Sequence, residues 1–149
     1  MTTTALIEQD LTRSIIGAFY ETYNTLGYGF LESVYAGALE RELLARGHRV
    51  AREYAVQVRY QGEEIGSQRV DMLVDKKVVI ETKSTPILAA SATRRLVNYL
   101  RGTNLEVGLL LHFGPEPKFQ RAASANRAVA VPPSGCSAVA VPVASGPSA

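Results

Sequence analysis

The sequence predicts an α/β fold with a mixed sheet, and three features of its patterning point there. Apolar residues recur at helical spacing through two N-terminal stretches. The period then switches to two across three consecutive strand-like runs. A further helical stretch separates these from a last run that is almost wholly apolar. Antiparallel strands in succession, followed by a helical crossover to another strand, give an αβββαβ core. The expected architecture is a central mixed sheet flanked by helices, with one extra helix at the N-terminus.

Each element has its own signal. Leu11, Ile15, Ala18, Phe19, Tyr23 and Leu26 mark one face of a first helix, and Gly27 supplies its stop. Leu31, Val34, Tyr35, Ala38, Leu39 and Leu43 mark a second, ending at Arg46 and Gly47. Val50, Tyr54, Val56, Val58 and Tyr60 alternate with Arg49, Ala51, Glu53, Gln57 and Arg59, the pattern of a half-buried strand. Gly62 marks a turn before a second strand from about Ile65 to Val74. A third, Val78 to Thr82, is β-branched up to its acidic residue. Ser84 or Thr85 is placed to cap a third helix with Pro86 in its first turn. That helix carries Ala92, Leu96, Tyr99 and Leu100 on one side and stops at Gly102. The last strong strand is Leu105 to Phe113.

The chain has 149 residues, 46% hydrophobic and 20% charged, which suits one domain and excludes a wholly disordered chain. A single cysteine, Cys136, excludes a disulfide scaffold and a cysteine-based zinc cluster, and no base neighbours it to make it reactive. No apolar run approaches the ~18 residues of a membrane span, and no signal core opens the chain, so the expected address is the cytoplasm. The net charge of +2 is too mild to announce a nucleic-acid binder. Every charged residue except Arg127 lies at or before Arg121. From Ala128 the sequence AVAVPPSGCSAVAVPVASGPSA has no charge, no aromatic residue and four of the seven prolines. The expectation is a domain over 1–127 and a disordered tail over 128–149, with a short edge strand near Ala128 to Val131 as the alternative.

Four residues carry chemistry: Glu32, Asp71, Glu81 and Lys83. An acidic residue inside an apolar strand is costly to bury unless it is paired or binds a cation. Asp71 interrupts Val70 to Val74, and Glu81 closes Val78-Val79-Ile80. A two-residue loop between these strands would pair Asp71 with Ile80 and separate the carboxylates. A three-residue loop, Asp75 to Lys77, pairs Val74 with Val78 and Asp71 with Glu81. The two carboxylates then share a face with Cβ atoms roughly 5 Å apart, and Lys83 follows on that face. Such a pair suits Mg²⁺ or Mn²⁺. Glu32, at the start of the second helix, also complements the helix dipole.

The stretch Gly29-Phe30-Leu31-Glu32-Ser33-Val34-Tyr35 resembles the signature of the GxxExxY protein family. The similarity continues through Tyr60-Gln61-Gly62, Arg69-Val70-Asp71, Val79-Ile80-Glu81-Thr82-Lys83, Asn98-Tyr99-Leu100 and Val107 to Gly114. That family is placed in the PD-(D/E)xK nuclease superfamily, so the resemblance implies a restriction-endonuclease-like fold. It implies Asp71 and Glu81 as metal ligands, Lys83 as a catalytic residue beside them, and Glu32 as an auxiliary acid. Mg²⁺ or Mn²⁺ is then the cofactor and nucleic acid the partner, with a homodimer as one assembly open to it. Arg94, Arg95, Arg101 and Lys118 are candidate phosphate contacts. The chain departs from the family pattern at Arg95, where Gln is usual, at Ala92, where His is usual, and at His112, where Asn is usual. The expected activity is metal-dependent phosphodiester hydrolysis; the alternative is a nuclease-fold binding module without turnover.

Overall fold

The computed structural model describes residues 8–125 and 139–142. Among the described residues, three helices and six strands follow in the order α1 (Gln9–Leu26), α2 (Glu32–Ala45), β1 (Val50–Tyr60), β2 (Glu63–Val74), β3 (Val78–Lys83), α3 (Ala90–Arg101), β4 (Val107–Phe113), β5 (Pro117–Ala125) and β6 (Val139–Pro142). The expected αβββαβ core runs from α2 to β4. The strands lie in the sheet in chain order. β1–β2, β2–β3 and β4–β5 pair antiparallel, whereas β3–β4, joined through α3, and β5–β6 pair parallel.

Two hydrophobic cores cover the sheet. On one face Ile15, Phe19, Tyr35 and Leu39 of α1 and α2 pack on Val78, Ile80, Leu109 and Phe113. On the other Leu96, Val97 and Leu100 of α3 pack on Leu73, Val79 and Leu110. Every residue of β4 is buried, as a central strand covered on both sides requires. Facing follows the alternation expected of a strand with one exception. Met72 and Val74 belong to the α1/α2 core, yet Val70 belongs to the α3 core. The reversal falls at Asp71, opposite Glu53, whose φ of 50° is unusual for a strand residue.

Two expectations are corrected, and a third lies mostly outside the described residues. The third helix begins at Ala90, not at Thr85. The Thr85 hydroxyl donates to the Ile87 carbonyl at 2.7 Å, and His112 Nε2 donates to the Thr85 carbonyl at 2.6 Å, which holds this segment out of the helix. Leu105 to Phe113 is not the last strand: β5 follows it, and Pro117 to Ala123 pair with all of β4. The expected tail over 128–149 lies mostly outside the described residues, as does the alternative strand near Ala128. Where it is described, Val139–Pro142 is a short strand beside Ala122 to Ala125.

Candidate metal and phosphodiester site

The hairpin between β2 and β3 has the odd register. Val74 pairs with Val78, Leu73 with Val79 and Met72 with Ile80, so one further step sets Asp71 opposite Glu81. The backbone ladder stops before that step, and the Asp71 side chain takes it over. Asp71 Oδ2 accepts the Thr82 backbone N–H at 2.7 Å and the Thr82 hydroxyl at 2.8 Å. Thr82 is fully buried, so its donors need this partner. Both bonds use one oxygen, which leaves Oδ1 with its lone pairs for a further ligand.

Glu81 is only 6% exposed. Burial, with the Asp71 charge adding to it, pushes its carboxyl up to about 7, against the opposing pull of Lys83, a hydrogen bond from Tyr99 and the Arg95 charge. Tyr99 itself, buried on α3 and facing Glu81, is pushed up to about 12. A carboxyl in this state is short of positive charge. The set fits a hard divalent cation: two oxygen donors on adjacent strands, one buried and one with an uncommitted oxygen. Among the described residues no group of three His, Cys, Asp or Glu side chains converges as a ready metal cluster. The acidic centre is thus a pair.

Glu32 arrives from the other layer. Its carboxyl is raised by burial, lowered by Lys83 and raised again by Asp71, which places all three in one electrostatic neighbourhood. The local sequence explains its position. Gly27 and Gly29 carry φ of 77° and 117°, open to glycine and strained for other residues. Tyr35, three residues after Glu32, then ties the loop: its hydroxyl donates to the Gly27 carbonyl and accepts the Phe30 N–H at 3.3 Å. Its ring is buried and stacked on Phe113, with centroids 4.3 Å apart. The Gly-x-x-Glu-x-x-Tyr spacing therefore couples a bent entry, an acidic first turn and a buried clamp.

Of the four basic residues singled out from the sequence, Arg95 acts on Glu81 and Tyr99. Arg94 and Arg101 are exposed on α3. Lys118 is exposed on β5, opposite His112, which in turn lies opposite Lys83, so the three form one cross-strand row. Ala92 is in the α3-side core. His112 is 3% exposed and anchors the chain just after Lys83 through Thr85. Gly114 makes room for it, since a Cβ there would fall 2.5 Å from the ring. Sequence reasoning missed Tyr99 and Thr82 as site residues. Tyr99 reads as core because it lies on the apolar stripe of its helix; its spacing of four from Arg95 is the signal that both share a face.

The family model described as PD-(D/E)XK nuclease superfamily matches residues 9–122. No curated protein matches the chain. Among solved structures, the crystal structure of SSO0001 is similar at a TM-score of 0.48 and 19% identity, over 78% of this chain and 59% of that one. The chain thus spans about three-fifths of that protein's length. No helix among the described residues is long and apolar enough to cross a membrane.

Proposed function

The chain belongs to the PD-(D/E)XK nuclease superfamily, and on that footing we propose that it is a divalent-metal-dependent nuclease of the GxxExxY family, hydrolysing phosphodiester bonds in DNA or RNA. The observation that carries this is the odd register of the β2–β3 hairpin, with Asp71 and Glu81 brought together and Lys83 following. Asp71 Oδ1 and the Glu81 carboxylate would hold Mg²⁺ or Mn²⁺. Such an ion, when bound, polarises a phosphodiester and lowers the pKa of water.

The chain's own groups do the rest. Thr82 fixes the rotamer of Asp71 and so aims its free oxygen. Tyr99 steadies Glu81 from α3. Lys83 stabilises negative charge growing on the phosphorus oxygens, a preorganised electrostatic role. Glu32 accepts a hydrogen bond from the attacking water. Arg94, Arg95, Arg101 and Lys118 contact the nucleic-acid backbone. Residues 1–127 form the working unit, acting in the cytoplasm. The test is a panel of labelled DNA and RNA with Mg²⁺ or Mn²⁺, run beside Asp71→Ala. Cleavage lost in the variant supports the reading, and cleavage retained by it rejects the assignment.

One observation favours a second reading, a binding module without turnover. Arg95 sets a permanent cation beside Glu81, where the family pattern has a neutral Gln. Isothermal titration with Mn²⁺ separates the two. Saturable binding lost in Glu81→Gln supports the nuclease, and absence of saturable binding supports the module.

A further inference from the structure

At the end of β3 away from Lys83, three side chains from separate parts of the chain form a relay. Ser14 Oγ on α1 lies 2.8 Å from His48 Nε2, and His48 Nδ1 lies 2.8 Å from Asp75 Oδ2 in the β2–β3 turn. The other Asp75 oxygen accepts the Arg49 N–H at 2.8 Å, and the Asp75 N–H returns to the Arg49 carbonyl at 2.9 Å. The turn and the start of β1 are thereby locked together. Burial works to raise the Asp75 pKa, but the Arg49 N–H, His48 and Lys77 outweigh it and hold the carboxyl below its ordinary range.

An ionised carboxylate only accepts hydrogen bonds, so the proton between Asp75 and His48 sits on Nδ1. In the neutral imidazole the lone pair is then on Nε2, facing Ser14, and the serine hydroxyl donates to it. That is the polarity of a nucleophile, its base and an orienting carboxylate. A serine inside a helix commonly bonds back to a carbonyl one turn earlier. Ser14 is instead engaged across the molecule.

A cleft of about 520 Å³ opens on His48 and Asp75, and its wall is of mixed charge, with Glu8 and Asp10 beside Arg49, Lys76 and Lys77. Ser14 is half-buried one turn after Leu11 on α1, and His48, its partner, is the group of the three-residue relay that joins it to this space. We propose that Ser14, His48 and Asp75 form a second reactive centre, a serine nucleophile that takes an acyl group from a small ester bound beside His48. The Ser14 Oγ–carbonyl carbon bond forms as the ester C–O bond breaks. The serine proton passes to His48 Nε2 and on to the departing alkoxide. Water then attacks the acyl-serine with His48 as base, releasing a carboxylic acid and restoring Ser14.

The inference is independent of the nuclease reading. Its test is covalent labelling of the full chain with a fluorophosphonate probe, mapped by peptide mass spectrometry. In that step the Oγ–P bond forms, the P–F bond breaks, the proton goes to His48 and fluoride leaves. The expected result is one adduct, on Ser14, absent in Ser14→Ala and formed about 10²-fold more slowly in His48→Gln. Ser14→Ala should leave phosphodiester cleavage unchanged. If His48→Gln does not fold, Asp75→Asn, which removes the tautomer support, should slow labelling comparably. No adduct on Ser14 in the folded wild-type chain, or one whose rate is indifferent to a folded His48→Gln or Asp75→Asn variant, overturns the proposal and leaves the three residues as a structural joint.

Discussion

Asp71 and Thr82 are joined twice through a single carboxylate oxygen, at 2.7 Å to the backbone N–H and 2.8 Å to the hydroxyl. The bonds stand where the β2–β3 ladder would otherwise continue, so the proposed metal ligand is also a strand-pairing element. Asp71→Ala is therefore expected to abolish divalent-dependent cleavage and also to destabilise the fold by about 1–3 kcal/mol, because the buried Thr82 donors lose their acceptor. Thr82→Val removes only the hydroxyl bond and should cost about 0.5–1.5 kcal/mol. Urea unfolding of both variants, read beside a nuclease assay, checks this.

The Glu81 carboxyl gives a pH signature. Its folded pKa of about 7 lies above the ordinary value of 4.5, so between the two the folded chain binds more protons than the unfolded one. Stability is then greatest below the ordinary value and falls as pH rises through about 7. The full difference is on the order of 3 kcal/mol. Thermal melts of metal-free protein from pH 4.5 to 8 should show this decline, and Glu81→Gln should flatten it. Mg²⁺ or Mn²⁺ added at pH 8 should raise the Tm of the wild-type chain by mass action.

Lys83→Ala is expected to abolish cleavage while leaving the fold intact. An ion network serving stability would behave in the opposite way, with a clear fall in Tm. Measuring activity and melting on the same preparation distinguishes the two roles.

Tyr35→Phe keeps the ring on Phe113 but releases the loop that presents Glu32. The expected cost is about 1 kcal/mol of stability, the worth of an ordinary hydrogen bond. Cleavage should fall further than that stability change explains, and single-turnover rates at saturating substrate would reveal it.

Arg95→Gln removes a cation from beside Glu81. Divalent binding should tighten several-fold in isothermal titration. An unchanged affinity would mean that Arg95 does not oppose the ion.

Much of this layout was legible in the sequence because two periods are hard to confuse. The α1 stripe, the glycine stop at Gly27 and the Tyr35, Leu39 and Leu43 face of α2 follow from spacing. Leu31 and Val34 of the expected α2 stripe are exposed, and spacing left the β2–β3 loop open between two and three residues. β5 was not legible, since Pro117–Ala125 mixes Pro, Lys, Arg, Ser and Ala and owes its strand form to pairing with β4. The start of α3 was misread because Thr85-Pro86 is a sound local helix signal, and His112, distant in sequence, decides against it. At the site, the acidic pair stood out as charge within apolar strands. Tyr99 and Thr82 did not, since both look like ordinary core or strand residues until a carboxylate is placed against them.

The reversal of facing at Asp71 divides the β1–β2 hairpin between the two layers of the molecule. At its base Met72 and Val74 enter the α1/α2 core while Leu73 faces α3; beyond Asp71, Val70 and Val56 face α3. The change of facing thus falls at the residue that carries the proposed ligand.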